Sequence, residues 1–349
     1  MKIKALGLEE IRSVDWNVEK ECIQLIDQRL IPFDFKINDY NTTIDVCKAI
    51  QTMVVRGAPA IGATAAYGIV VALKEVENYE VSDKKSKLDE KLKQLLATRP
   101  TAVDLVNFAL ETYQTAIKTN FSIEETLLKA ELLANEMVKD CTQIGIYGEE
   151  LINDGDTVLT HCNAGPMATI DKGTALAPIF RANEKGKNVK VLVDETRPRL
   201  QGAKITAWEL EQEGIDHYII SDSAASFLMS KRQVDKVILG ADRCLKDGTV
   251  SNKIGTLSLA VNAKYFGIPF YSAFPWTTLD KESKSMEEFE IEYRNEDEIK
   301  YITSAKEKIL VANLNSKALN PAFDITPAEL ITGYITPDGI LSKEDLMKK

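Results

Sequence analysis

A histidine, a cysteine and an asparagine follow one another at the end of a short apolar run, LTHCNAG (159–165). A cysteine without a chemical role is usually buried inside such a run, whereas Cys162 lies at its polar end. A helix is predicted to begin soon after Pro166, and a helix N-terminus lowers the pKa of a nearby thiol. We therefore predict that Cys162 is a catalytic nucleophile or acid–base group. His161 is expected to orient its neighbours without a catalytic role.

A carboxylic acid, Asp242, occupies a comparable position in VILGADR (237–243). An aspartate at a turn is commonly a helix cap or the partner of an adjacent cation such as Arg243. At the mouth of an apolar sheet, however, loss of hydration raises the pKa of a carboxyl group, which makes the group a usable proton donor near neutral pH. Cys162 and Asp242 are therefore predicted to form an acid–base pair.

Several turns combine cations with small residues and are candidate phosphate sites. Their residues are Arg56, Gly57, Ala58, Arg99, Arg197, Asn252 and Lys253. The first three precede Pro59, which is typical of a first helical turn, where free backbone N–H groups bind anions. Asn252 and Lys253 precede another predicted helix. The sequence contains neither a dinucleotide-binding glycine motif after the first strand nor a P-loop, which argues against both nucleotide classes.

The elements that must position these groups alternate between apolar strands and helical segments from residue 156 onward. The predicted strands are DTVLTHC (156–162), NVKVLVDET (188–196), HYIISDS (217–223), KVILGADR (236–243) and IPFYSAFP (268–275). This alternation is typical of an α/β fold with a doubly wound parallel sheet covered on both faces. Ligands of such sheets bind outside the carboxyl ends of the strands. We therefore expect the strand-end residues Cys162, Asp194, Asp222 and Asp242 to meet in one crevice.

The first 150 residues are predicted to be mostly helical. Apolar residues recur at helical spacing in 43–55, and 56–75 form a helix rich in small residues that must pack closely. The segment 122–150 is predicted to be one long amphipathic helix or a helix pair. We divide the chain into a helical domain, 1–130, and a Rossmann-like domain, 131–349.

Composition excludes several classes of partner. The 349-residue chain has a net charge of −10, and nucleic-acid binding needs a basic surface. Five widely spaced cysteines without a C-x-x-C pair, and only two histidines, give no basis for a disulfide framework or a zinc site. No apolar stretch resembles a signal peptide or reaches the length of a membrane span. A cytoplasmic protein without nucleic-acid or membrane partners is expected.

Seven longer motifs occur in a characteristic order. They are VVRGAPAIG (54–62), ATRPTAV (97–103), THCNAG (160–165), DETRPRLQGAKITAWEL (194–210), GADR (240–243), NKIGT (252–256) and NPAFDITPAELIT (320–332). In these motifs the chain resembles the S-methyl-5-thioribose-1-phosphate isomerase family, the aldose–ketose isomerases of methionine salvage. The resemblance covers nearly the whole chain. It implies a helical domain followed by a Rossmann-like domain, a homodimer, a sugar 1-phosphate substrate, and no metal or organic cofactor.

The resemblance also implies roles for particular residues. Cys162 and Asp242 match the catalytic pair. The matching substrate-binding positions are Arg56, Gly57, Ala58, Arg99, Gln201, Asn252 and Lys253. The anomeric oxygen of an aldose 1-phosphate is esterified, so the furanose ring must be opened with the phosphate in place. We expect Asp242 to protonate the ring oxygen and Cys162 to assist hydrogen transfer from C2 to C1.

Three alternatives share these features. A 5-deoxyribose-1-phosphate isomerase differs only in the C5 substituent, and one apolar substituent changes binding by about 1–3 kcal/mol, so one protein could accept both sugars. A ribose-1,5-bisphosphate isomerase needs a second phosphate site and ranks lower, because of the acidic composition and of Phe274 and Trp276. Regulatory subunits of the nucleotide-exchange factor for translation initiation use the same fold as scaffolds, which have no need of both Cys162 and Asp242.

Overall fold

The computed structural model describes residues 1–3, 7–8, 10–99, 103–283, 285, 291–304 and 307–349. Residues 100–102 of the ATRPTAV motif therefore lie outside the described residues. The helices are α1 (Thr43–Gln51), α2 (Ala58–Glu75), α3 (Val81–Leu96), α4 (Val103–Lys118), α5 (Ile123–Glu149), α6 (Pro166–Thr169), α7 (Leu176–Glu184), α8 (Ala207–Glu213), α9 (Ala224–Ser230), α10 (Thr256–Phe266), α11 (Asp297–Lys300) and α12 (Lys343–Leu346).

The strands are short and form separate sheets. They are β1 (Val14–Asn17), β2 (Cys22–Ile26), β3 (Ile37–Tyr40), β4 (Thr157–Thr160), β5 (Lys190–Asp194), β6 (Asp216–Ile220), β7 (Lys236–Gly240), β8 (Arg243–Leu245), β9 (Val250–Lys253), β10 (Phe270–Ala273), β11 (Leu279–Asp280), β12 (Tyr301–Thr303), β13 (Lys308–Leu310), β14 (Phe323–Thr326), β15 (Gly333–Thr336) and β16 (Gly339–Leu341). Strands β12 and β13 form a separate antiparallel pair.

The buried helix α2 is the centre of the N-terminal part. Its small side chains let it pack closely against α4 and α5, as the sequence predicts. At Gly62, for example, a Cβ atom would lie 3.0 Å from the Cβ of Asp104 in α4. The segment 122–150 forms the single helix α5. An antiparallel sheet, β1-β2-β3, accompanies these helices. The sequence analysis did not predict it, because strands of four or five residues are too short for a clear alternation.

A seven-stranded sheet dominates the rest of the chain, with the order β16-β15-β10-β7-β4-β5-β6. Neighbouring strands are parallel except for β15 and β16. All five predicted strands belong to this sheet, and the mixed α/β architecture with a parallel sheet is confirmed. Strands β15 and β16 were not predicted. In the centre of the sheet, Leu159 of β4 lies beside both Leu192 and Val237.

Helices cover both faces of this sheet. Val158 and Val191 belong to an apolar cluster with residues of α5, α7 and α8. The next residues along the same strands, Leu159 and Leu192, belong to a second cluster with residues of α9 and α10. Successive side chains of a strand point to opposite faces, so apolar runs of this kind require cover on both sides. The packing holds the carboxyl ends of the central strands in fixed positions.

A smaller four-stranded sheet, β11-β8-β9-β14, adjoins the carboxyl end of β7. Asn252 and Lys253 lie in its strand β9, and Lys253 pairs with Phe323 of β14. They precede helix α10, as predicted, but they lie in a strand and not in a turn. Strand β9 was missed because VSNK has no apolar alternation, and its pairing with β14 spans about 70 residues of sequence.

Helix α5 connects the two parts of the chain. It packs against α2 and α4 on one side and against α7 and β15 on the other. The predicted division at residue 130 falls inside this helix, and the division into two domains stays a prediction. Within the described ranges, no helix combines the length and the apolar character needed to cross a bilayer.

Candidate active site

A pocket of about 380 Å³ opens at the carboxyl ends of β4 and β7, between the large sheet, strand β9 and the start of α2. The structure brings every predicted catalytic and substrate-binding residue to its walls. These residues are Arg56, Gly57, Ala58, Arg99, Cys162, Gln201, Asp242, Asn252 and Lys253. They come from six separate stretches of sequence, so the fold is what assembles them. Arg197 does not line this pocket; its guanidinium donates to the carbonyl oxygens of Pro198 and Ile299.

The backbone holds Cys162 in an uncommon conformation, with a φ angle of +61°. Its N–H donates to the hydroxyl of Thr196 at 2.8 Å, and its carbonyl accepts from the hydroxyl of Thr206 at 2.6 Å. Thr196 and Thr206 thus fix the backbone of Cys162, which lies beyond the end of β4. The side chain of Cys162 is presented to the pocket.

The electrostatics of Cys162 differ from the prediction. Burial raises the pKa of its thiol, although the charges of Lys253 and Arg56 oppose this shift. The predicted helix after Pro166 is the single-turn α6, which provides little dipole. The expectation that a helix N-terminus lowers the pKa of Cys162 was wrong, because loss of hydration outweighs the favourable charges. The site favours the neutral thiol at rest.

Asp242 lies two residues beyond β7, and its side chain is open to the pocket. Among the described residues, no group donates a hydrogen bond to its carboxylate. Enclosure by the protein around the pocket raises the pKa of Asp242, and the charges of Lys253, Arg294, Arg99 and Arg56 oppose this rise. The direction is the one expected from the sequence. A carboxyl group of this kind can carry a proton to a bound ligand.

The start of α2 packs closely against Ala168 of α6. Gly57 is the N-cap residue with a φ angle of +96°, and a Cβ atom there would lie 2.4 Å from the carbonyl oxygen of Ala168. Only glycine fits both the conformation and the space. Next to it, Arg56 donates through Nη1 to the carbonyl of Asn163 at 3.2 Å and through Nη2 to Oδ1 of the same residue.

Lys253 and Asn252 belong to strand β9 and also line the pocket. The Nζ of Lys253 donates to the carbonyl of Ala322 at 3.0 Å and lies 4.4 Å from the ring centre of Phe323. Burial lowers its pKa, and the charge of Arg294 adds to that effect. The Nδ2 of Asn252 donates to the Thr256 hydroxyl at 3.0 Å. Lys253 has a buried charge without a carboxylate in hydrogen-bond contact among the described residues, which suits an anionic ligand.

Gln201 and Arg99 complete the predicted set. Gln201 precedes a π-helical turn, Gly202–Thr206, and its buried Oε1 has no hydrogen-bond partner among the described residues. A buried amide oxygen without a donor is costly, and a hydroxyl of a bound sugar would satisfy it. Burial lowers the pKa of Arg99, and the neighbouring charge of Arg294 adds to that effect.

Sequence reasoning missed two charged residues of the pocket, Glu292 and Arg294. The Nε and Nη2 atoms of Arg294 donate to the two carboxylate oxygens of Glu292, at 3.1 Å each. Burial opposes ionisation of Glu292, but the hydrogen bonds and charge of Arg294, with the charges of Arg99 and Lys253, lower its pKa. Their spacing in EIEYR gave no signal, because the segment lies far from any predicted strand end.

His161 connects two walls of the pocket. Its Nδ1 lies 2.9 Å from a carboxylate oxygen of Asp194, and its Nε2 lies 2.9 Å from the carbonyl oxygen of Ile254. Both ring nitrogens thus face acceptors, which fits a protonated ring. Burial opposes this charge, yet the hydrogen bond and charge of Asp194 raise the pKa of His161. The orienting role expected from the sequence agrees with these contacts.

A cluster of His161, Asp194 and Asp222 brings one possible metal-ligand atom from each residue within 4.8 Å. The two carboxylate oxygens of Asp222 already accept the backbone N–H groups of Thr196 and Arg197, at 2.7 Å each. Both nitrogens of His161 are engaged as well. Hydrogen bonding accounts for the cluster, and the absence of a metal from the reaction stays a prediction.

Comparison with known proteins decides the family. The model of the "Initiation factor 2 subunit family" matches residues 54–343. The chain belongs to that family. The putative methylthioribose-1-phosphate isomerase of Methanocaldococcus jannaschii is 47% identical to it over 342 residues, with 97% of this chain and 98% of the relative covered. The methylthioribose-1-phosphate isomerase of Petrotoga mobilis is 45% identical over 339 residues, with 94% and 95% covered.

Two solved structures share the whole fold. The 5-methylthioribose 1-phosphate isomerase of Pyrococcus horikoshii superposes with a TM-score of 0.87 at 34% identity and covers 97% of this chain and 96% of its own. The translation initiation factor eIF-2B subunit delta of A. fulgidus superposes with a TM-score of 0.85 at 40% identity, with 97% and 100% covered. The curated relatives and the first of these structures show that the chain is an enzyme, an aldose–ketose isomerase.

Proposed function

We propose that this isomerase converts S-methyl-5-thio-α-D-ribose 1-phosphate to S-methyl-5-thio-D-ribulose 1-phosphate in methionine salvage. The observation that carries the proposal is the meeting of Cys162 and Asp242 in one pocket with three cations. Within the described part of the chain, Arg56, Arg99 and Lys253 form no ion pair with a carboxylate. The names of relatives that match nearly the whole chain support the substrate. The C-terminal Rossmann-like domain, residues 131–349, would supply the catalytic pair, and the N-terminal helical domain, residues 1–130, would supply Arg56 and the start of α2.

The phosphate would bind between the two walls of the pocket. Arg56, the backbone N–H groups at the start of α2, and Lys253 lie around the same space. Charge-assisted hydrogen bonds from guanidinium and ammonium groups are the strongest that a phosphate receives from side chains. Arg99, Asn252 and Gln201 would complete the contacts to the phosphate and the sugar hydroxyls. The negative overall charge of the chain makes this local group of cations the natural place for an anion.

Ring opening is the step assigned to Asp242. Its raised pKa favours the protonated form, and the proton would pass to the ring oxygen O4 as the C1–O4 bond breaks. Positive charge from Lys253 and Arg56 would stabilise the carboxylate left behind. The phosphate stays esterified at C1 throughout, so the cations hold the substrate while the ring opens.

Cys162 would assist the transfer of hydrogen from C2 to C1. Its neutral thiol lies in the same pocket. The charges of Lys253 and Arg56 favour the thiolate, which is the form that can take up a proton from the substrate. Substrate deuterated at C2 distinguishes the two routes. Loss of the label to water indicates proton transfer through an enediolate, and full retention at C1 indicates a hydride shift.

The experiment that tests the substrate compares purified protein on methylthioribose 1-phosphate and on 5-deoxyribose 1-phosphate. We expect a kcat/KM at least about tenfold higher for the thioether, since one apolar substituent contributes about 1–3 kcal/mol. Near parity or a preference for the deoxy sugar would make the second sugar the substrate, or show a dual role. Ribose 1,5-bisphosphate serves as a third substrate in the same assay.

One observation favours a second candidate function. The A. fulgidus structure with 40% identity is titled as a translation initiation factor subunit, so a regulatory scaffold is the alternative from another class. A scaffold does not need a thiol, a carboxyl group and cations in one pocket. Turnover of any of the three sugar phosphates would exclude a purely non-catalytic role, and no turnover of all three would favour it.

We also propose that the protein is a cytoplasmic homodimer. The edge strand β6 exposes Tyr218 and Ile219, and the adjoining helix α9 exposes Phe227 at 60%. An apolar edge strand of a parallel sheet is ordinarily covered, and a second copy would cover it. We expect Ile219→Lys to convert a dimer to a monomer in light scattering. Leu128→Lys, at an exposed position of α5, is the control. All five cysteines are free thiols, as in a reducing compartment.

A further inference from the structure

A buried carboxylate, Glu209, lies behind the pocket without lining it. Glu209 belongs to α8 and is only 3% exposed. Its Oε1 accepts the backbone N–H of Met167 at 2.7 Å, and its Oε2 accepts a hydrogen bond from Nδ2 of Asn163. Because both carboxylate oxygens face donors, the site fits the ionised form of Glu209.

Asn163 links this carboxylate to the pocket. Its Nδ2 donates to Glu209 and also to the Thr206 hydroxyl, at 3.0 Å for the latter. Its Oδ1 and its backbone carbonyl both accept from the guanidinium of Arg56. A flipped amide would place an NH₂ group against the guanidinium and an oxygen against the carboxylate. Glu209 therefore determines which way the amide of Asn163 points, and the amide in turn holds Arg56.

The local sequence is adapted to this contact. A Cβ atom at Gly165 would lie 2.1 Å from Oε2 of Glu209, so a glycine is needed for the carboxylate to reach its position. Burial raises the pKa of Glu209 to about 7, and its hydrogen bonds with Met167 and Asn163 and the charge of Arg56 oppose that rise. Burying a charged carboxylate lowers the stability of the folded protein, and no proposed reaction step uses Glu209 directly.

We propose that Glu209 is a positioning residue, which through Asn163 holds the guanidinium of Arg56 in place for the substrate phosphate. The Nε–H of Arg56 has no protein acceptor among the described residues, and the guanidinium lines the pocket. With Nη1 and Nη2 held by Asn163, the remaining donors keep a constant direction. The inference rests on the proposed function in one respect, namely that the pocket binds a phosphate.

The test is Glu209→Gln. This substitution removes the negative charge and places an NH₂ group opposite one of the two donors, the Met167 N–H or Nδ2 of Asn163. We expect the affinity for inorganic phosphate, measured by titration calorimetry, to fall roughly tenfold or more, as for other losses of a charged hydrogen bond. The KM for the sugar phosphate should rise likewise, with kcat changed less than about threefold. Glu211→Gln is the matched control, since Glu211 is an exposed residue of the same helix.

A double-mutant cycle separates positioning from general destabilisation. If Glu209 acts through Arg56, then Glu209→Gln should lower phosphate affinity by no more than about twofold in an Arg56→Ala background. A merely structural role would give the same loss in both backgrounds. Unchanged phosphate affinity in the folded single variant, or additive losses in the cycle, would overturn the proposal.

Two further results are decisive. If Glu209→Gln does not fold, Asn163→Ala cuts the same link from the other side, and retention of wild-type phosphate affinity by that variant would contradict the proposal. If the wild-type protein binds no phosphate, the proposal also fails. If it binds phosphate but does not isomerise methylthioribose 1-phosphate, the proposed function fails, while the calorimetric cycle still decides the role of Glu209.

Discussion

Asp194 is the last residue of β5 and Asp242 lies two residues beyond β7, at the carboxyl ends of two strands of the same sheet, yet their surroundings are opposite. Asp194 is 1% exposed and hydrogen-bonds to His161 at 2.9 Å. Asp242 is open to the pocket, and no described group hydrogen-bonds to its carboxylate. A strand-end position is therefore not enough to identify a catalytic acid. The difference lies in whether the fold provides a fixed partner.

The charges around the two carboxylates extend this contrast. Burial raises the pKa of Asp194 to about 6, and one neighbouring ring, His161, opposes the rise. Enclosure by the protein around the pocket also raises the pKa of Asp242, where the opposing charges are four cations. A single fixed partner makes a structural ion pair. Several cations at a distance leave a carboxyl group that can exchange its proton with a ligand.

The largest expected effect is on turnover at Asp242. Asp242→Asn should lower kcat by roughly 10²–10⁴, the usual contribution of a general acid, while the protein stays folded. Steady-state kinetics with methylthioribose 1-phosphate measure this. Cys162→Ala should give a loss of the same order. Folded variants with full turnover would remove both residues from the catalytic pair.

The variant to compare with Asp242→Asn is Asp194→Asn. It should lower the free energy of unfolding by about 1.5–3 kcal/mol, because a charged hydrogen bond to His161 is lost, and leave kcat within about tenfold of wild type. Urea unfolding and the same kinetic assay give both numbers. A loss of turnover as large as that of Asp242→Asn, without a loss of stability, would reverse the assignment of the two carboxylates.

A third prediction concerns Gly57, at the start of α2, where the phosphate is proposed to bind. Gly57→Ala should cost more than the about 1–2 kcal/mol expected for a left-handed conformation alone, because its Cβ would also meet the carbonyl oxygen of Ala168 at 2.4 Å. Gly155→Ala is the control, since Gly155 has a φ angle of +84° with open space around it. Equal losses of stability in the two variants would show that the contact with Ala168 relaxes without cost.

The last prediction concerns the pH dependence of stability at Asp104, which leaves turnover out of account. Burial raises the pKa of this α4 residue from 3.8 to about 6. The folded state therefore binds the proton of Asp104 more tightly than the unfolded state does. The stability contributed by the protonated side chain is lost as the pH rises from about 4 to about 6. Asp104→Asn should flatten this part of the stability curve. At pH 8 it should raise the free energy of unfolding by up to about 3 kcal/mol relative to wild type.

Denaturant unfolding from pH 4 to pH 8 measures this effect. Asp83→Asn is the control, because Asp83 occupies the corresponding first turn of α3 at an exposed position. If the stability of Asp104→Asn and that of wild type depend on pH in the same way, the pKa of Asp104 is not raised in the folded protein.

Sequence reasoning was most successful where structure is local. Five strands were predicted from apolar runs, and the strand-end rule correctly brought Cys162 and Asp242 to one pocket. It was wrong for Asp194 and Asp222, which do not line the pocket, because hydrogen bonds to His161 and to the Thr196 and Arg197 backbone hold them beside it. Sequence reasoning failed where the structure depends on distant pairing. Strand β9, which carries Lys253, exists because it pairs with β14 about 70 residues later. Glu292 and Arg294 enter the pocket from a segment without periodicity.

The amino-acid sequence by itself determined the mixed α/β architecture and the chemical types available for a site. Apolar periodicity sets which segments become strands and helices, and strand ends set which side chains can meet. Only the tertiary structure decided which carboxylate has a partner, which thiol is desolvated and which cation is held by Glu209 through Asn163. Hydration and charge at a residue depend on neighbours distant in sequence, and these are defined only once the chain has folded.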